Sequence, residues 1–158
     1  LLLYSSARQQ ARRDAQGRYV PLGEQDTARW DHAAIDEAES LLQTAGRMNR
    51  IGRYQLEAAV QSAHCVRRRT GQADWTAIVG FYAALHELTG SPVAALNHAA
   101  SLARSGDPSE ALCELDRLGA DGSLRLYQPY WAARADLLAR TGRTAEAAQA
   151  YRQALGLE

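Results

Sequence analysis

Trp30, Ile35, Ala38, Leu41 and Leu42 recur at intervals of three and four with polar residues between them. That spacing predicts a helix with one apolar stripe facing a core. Asp26 supplies an N-cap before it and Gly46 a stop after it. Upstream, Leu1 to about Ala11 reads as helix, and Asp14, Gly17, Tyr19, Val20 and Pro21 read as a turn or short hairpin. Downstream, Arg47 to Arg53 is a connection. Helix then resumes at Tyr54 and runs to about Arg69, with Leu56, Ala59, Val60 and Ala63 on its buried side. Asp74 caps a helix through Leu88, and Ser91 with Pro92 opens one to about Arg104. Asp107 with Pro108 opens the next to Leu118, Pro129 one that Gly142 ends, and Thr144 the last. About eight helices with short connections argue for an all-α fold of antiparallel helical pairs.

A repeat runs through the second half. Trp131, Ala135, Leu138, Gly142, Ala147, Tyr151 and Ala154 in the last pair match Ala95, Ala99, Leu102, Gly106, Ala111, Leu115 and Leu118, 36 residues earlier. A weaker echo at Ile78, Tyr82 and Leu85 precedes them. Small residues at these places let two helices approach, and larger ones fill the space to the next pair. The pattern resembles the tetratricopeptide (TPR) repeat, and that resemblance implies pairs stacked as a right-handed superhelix. The expected repeat core is therefore Ala95, Ala99, Leu102, Ala111, Leu115, Trp131, Ala135, Leu138, Ala147, Tyr151 and Ala154. Arg134 stands where TPR repeats usually carry Leu. Residues 1–50 lack the repeat and form an N-terminal helical region, residues 51–158 carry it, and the 158 residues together make one compact unit.

Composition supports this reading. The chain holds 31 Ala and 20 Leu against 5 Val and 3 Ile, a strong bias to helix over strand. Its 18 basic residues are all Arg and are balanced by 18 acidic ones, so no overall field attracts a polyanion. No apolar run approaches the roughly 20 residues that span a bilayer, and a cytoplasmic location is expected. Cys65 and Cys113 show no CxxC spacing and are expected to be buried thiols in a reducing compartment. The first residue is Leu1 and the only Met is Met48, so the sequence is expected to be part of a longer chain.

Three blocks narrow the reading further: LGEQDTARWD around Trp30, YQLEAAV from Tyr54 and SPVAALNHAASLA from Ser91. In this order, and together with the final ARADLLARTGRTAEAAQAYRQALGL, they resemble the C-terminal TPR-containing extension of certain bacterial extracytoplasmic-function (ECF) RNA polymerase sigma factors. In that family two promoter-reading helical domains come first and the extension follows. The resemblance implies a regulatory domain that modulates transcription initiation through contacts with the sigma domains, core RNA polymerase or another regulatory protein. It implies no direct DNA binding by these residues and no membrane contact.

The expected partner-binding residues are Asn97, whose amide can pair with an extended peptide, and Arg134, Asp136 and Arg140 on the first helix of the last pair. Solvated or intramolecular ion pairs are the competing reading for the charged three. Arg12-Arg13 and Arg67-Arg68-Arg69 can meet phosphate or carboxylate, but a cationic helix end requires no ligand. His32, His64, His86 and His98 are dispersed, with no nucleophile motif and no phosphate loop, so no catalytic residues and no cofactor are expected. His64 and Cys65 are adjacent and point about 100° apart on a helix, so no metal site is expected. The alternative function is a small-ligand sensor acting on the same sigma factor, with Trp30, Tyr54, Trp75, Tyr82 and Trp131 as possible walls of its cavity.

Overall fold

A computed structural model describes residues 1–106, 108–120 and 122–157. Eight helices of six or more residues are present among them: α1 (Leu2–Ala7), α2 (His32–Gly46), α3 (Arg53–Cys65), α5 (Trp75–Thr89), α6 (Pro92–Ser105), α7 (Pro108–Gly119), α8 (Gln128–Arg140) and α9 (Thr144–Leu155). A single turn, α4 (Arg67–Thr70), follows α3. No strand occurs among the described residues; Arg13 and Tyr19 form one isolated antiparallel bridge. The fold is all-α, and none of the described helices is long and apolar enough to cross a membrane.

The chain forms two compact units, Leu1–Phe81 and Tyr82–Glu158. The sequence reading has one compact unit whose two regions meet near residue 50; α3 packs against α1 and α2, so residues 53–65 lie in the first unit.

In the first unit, Tyr4, Ala7, Ala11, Trp30, Ile35, Ala38, Ala58 and Cys65 make the core. The expected helix at residues 1–11 breaks at Arg8 and continues as the 3-10 turn Gln9–Ala11. Asp26 does not cap α2. Its carboxylate accepts from Ala28 N and closes the 3-10 turn Thr27–Arg29, while Asp31 caps α2 by accepting from Ala34 N at 3.0 Å. Trp30 and Ile35 then fall at the positions flanking the cap where a hydrophobic staple forms, and both are buried in one cluster. Leu41, expected on the buried stripe, is exposed.

In the second unit α6 packs on α7, α7 on α8 and α8 on α9. Ala99, Ala111, Leu115, Ala135, Leu138 and Ala147 belong to one core cluster, against which Leu102 and Trp131 pack half-buried. Ala95 and Ala154 are buried as well. Tyr151 is not core: it is 45% exposed. The buried stripe of α9 is Ala147, Ala150 and Ala154, and Tyr151 lies on its flank. Cys113 is exposed too, because α7 buries Ala111, Leu112 and Leu115; Cys65 is buried as expected.

Local rules place these helices. Asp74 Oδ1 accepts from Ala77 N at 3.0 Å, and Ser91 caps α6 with Pro92 in its first turn. Asp107, the expected cap of α7, lies outside the described residues. Gly142, with φ of 78°, ends α8 in a Schellman motif: Arg143 N donates to Leu138 O at 2.9 Å and Gly142 N to Ala139 O at 3.1 Å. Gly119 at the end of α7 permits a close approach, since a Cβ there would stand 2.1 Å from the Tyr130 hydroxyl.

Candidate functional site

Helices α7, α8 and α9 bound an open groove of about 440 Å³ in the second unit, walled by Tyr130, Trp131, Gln149 and Gln153. Arg134 lies in it because α8 turns Ala135 and Leu138 into the core and leaves position 134 beside α7. Its Nε donates to Asp116 Oδ1 at 2.8 Å, so the cation is held by a carboxylate of the neighbouring helix. Burial pushes the Tyr130 phenol above its ordinary pKa, and the Arg134 charge partly offsets this. Across the groove Glu146 accepts two bonds from Arg143, at 2.7 and 2.6 Å, and this pairing holds its carboxyl below the usual range. The Trp131 indole donates to Arg125 O at 2.9 Å and its ring meets Tyr130 edge-on.

The four residues expected to bind a partner do not converge. Arg134 lines the groove. Asp136 and Arg140 pair with each other at 2.9 Å, about 200° and 240° around α8 from Arg134, and Arg140 approaches the Ala103 carbonyl of α6 at 3.5 Å. Asn97 is partly buried on α6, where its backbone carbonyl accepts from Ser101 Oγ at 2.7 Å. The aromatic residues do not gather either. Trp30 is in the core of the first unit, Tyr54 is exposed with the Arg53 guanidinium over its ring, and Trp75 meets His64 edge-on.

The arginine triplet of the first unit is a structural clasp. Arg67 donates to Leu22 O at 2.9 Å; Arg68 is buried, bonded to Asp36 and 3.6 Å from Glu39; Arg69 stands 3.5 Å from the same Glu39. Sequence reasoning missed these carboxylates, although a signal existed: Glu39 follows Ile35 by four residues and so shares its buried face. A second buried cation, Arg8, bonds the Gln61 side chain. Desolvation, with the Arg8 charge nearby, holds His64 at a pKa of about 4, and burial pushes the Cys65 thiol up. Among the described residues no group of three or more His, Cys, Asp or Glu side chains is placed to hold a metal ion.

Residues 1–46 match a family of unknown function, DUF6596. Over 157 residues, 99% of the chain, the sequence is 38% identical to an uncharacterized protein of Rhizobium meliloti (strain 1021). The chain spans 37% of that relative's length.

Proposed function

We propose that this chain is the C-terminal regulatory domain of a bacterial ECF sigma factor, and that it modulates transcription initiation by binding polypeptide. Its partners are the sigma domains, core RNA polymerase or another regulatory protein. The observation that carries the reading is the open groove of the second unit, framed by two helical pairs with small-residue cores and displaying Arg134 where a repeat would ordinarily carry an apolar side chain. Such a trough suits an extended or helical peptide. Its openness favours a polypeptide over an enclosed small ligand. The resemblance of the LGEQDTARWD, YQLEAAV and SPVAALNHAASLA blocks supplies the sigma-factor setting, and a relative of which this chain spans 37% leaves room for further domains.

The test is transcription in vitro from a promoter of the parent factor, comparing the intact factor with one lacking these 158 residues and one carrying Arg134→Ala. Removal is expected to change the initiation rate, and Arg134→Ala to weaken the regulatory contact by about 1–2 kcal/mol in a folded protein. Identical initiation by all three would count against the proposal.

A further inference from the structure

A groove of about 870 Å³ in the first unit runs beside α1 and the turns at residues 9–11 and 27–29. Arg12, Arg13 and Arg29 line it, against a single acid, Asp14. That acid is already engaged: Arg18 Nε donates to it at 2.7 Å, and the backbone N–H groups of Gln16 and Arg18 at 2.9 Å each.

The three lining cations are held by neutral acceptors. Arg12 donates to Ser5 Oγ at 2.8 Å, Arg13 to the Gly17 carbonyl at 2.7 Å, and Arg29 to the carbonyls of Arg13, at 3.1 Å, and Gln10. These bonds fix each guanidinium without neutralising it and leave some of its five N–H donors free. Arg53, Arg68, Arg117, Arg134, Arg140 and Arg143, by contrast, pair with carboxylates. Arg8 adds a further positive charge one turn from Arg12. It is 6% exposed, its bonded partner Gln61 is neutral, and its Nη1 is buried without a partner among the described residues. Apolar side chains adjoin the cations, for Leu2 and Leu3 also line the groove.

We infer that this groove docks an acidic, amphipathic polypeptide segment whose carboxylates pair with Arg12, Arg13 and Arg29 while an apolar side chain covers Leu2. Charge complementarity selects the acidic partner, and guanidiniums already fixed in position lose little freedom on pairing with it. A phosphodiester backbone is the poorer match: it offers nothing apolar to Leu2, and a chain of net charge zero exerts no long-range pull on a polyanion. The inference concerns a surface separate from the groove around Arg134 and does not rest on the sigma-factor reading.

The probe is a fluorescein-labelled helical peptide of about 15 residues, with Glu pairs four apart beside a Leu face, titrated with the full chain and read by anisotropy. Saturable binding is expected, and both a Gln-for-Glu peptide and the Arg12→Gln/Arg13→Gln chain are expected to bind about tenfold more weakly. Removing the same charge elsewhere, by Arg47→Gln/Arg152→Gln, leaves affinity unchanged. Circular dichroism checks that each variant is folded; if the double variant is not, the Glu and Gln peptides against the unaltered chain decide. Equal affinity for the two peptides overturns the inference. So does full affinity in a folded Arg12→Gln/Arg13→Gln chain, or tighter binding of a short DNA duplex through the same arginines.

Discussion

His64 is the side chain whose protonation the fold opposes most clearly. It lies on α3 against the Trp75 ring, and desolvation and the Arg8 charge hold its pKa at about 4, below the ordinary 6.5. Above pH 6.5 it is neutral whether the chain is folded or not, and its environment costs nothing. Between 6.5 and about 4 the unfolded chain takes up a proton that the folded chain refuses, so stability falls with pH across that window. Urea unfolding at pH 7 and pH 5 is expected to differ by about 2 kcal/mol from this group, and His64→Gln is expected to remove most of the difference. Asp36 and Asp14 titrate below that range, because Arg68 and Arg18 respectively hold their carboxyls under the usual value. Sequence periodicity identifies His64 as helical, but its lowered pKa comes from burial and, after that, from the charge of Arg8, 56 residues away in sequence, and no local pattern reports either. The same holds for Arg68, which a triplet of arginines at a helix end presents as solvated and which Asp36 and Glu39 instead draw into the fold.

Helix boundaries were legible wherever one capping signal stood alone. Asp74, Ser91-Pro92 and Gly142 each mark an observed end, because a side-chain acceptor, a proline in the first turn or a left-handed residue is a local device. The sequence misplaces the start of α2 because two aspartates, Asp26 and Asp31, compete within one stretch. What decides between them is burial: Trp30 must sit before the cap to reach the core beside Ile35, which sets the first helical turn after Asp31. Asp31→Ala is therefore expected to lower the stability of the first unit by about 1 kcal/mol in denaturant unfolding, while Asp26→Ala, which frees only a 3-10 turn, costs less. The contrary order would return the cap to Asp26. The repeat spacing located most of the second unit's core. Tyr151 is the exception, since periodicity alone does not separate the centre of a buried stripe from its flank.

At the scale of the whole molecule, the sequence makes plain that the chain is helical but not where it divides. The sequence reading starts the repeat region at residue 51; α3 packs with α1 and α2, and the two units part within α5. Repeat periodicity records which residues are similar, whereas unit boundaries record which helices bury one another's faces. Each unit carries an open groove of distinct chemistry, one set by Arg134 and its neighbouring carboxylates, the other by Arg12, Arg13 and Arg29. We propose that this chain acts by docking on the transcription machinery. The test is isothermal titration of the purified chain into the separately expressed sigma domains of the proposed parent factor, and into core RNA polymerase, at two salt concentrations. Saturable binding to at least one of them is expected. No binding to either, by a chain that circular dichroism shows to be folded, would contradict it.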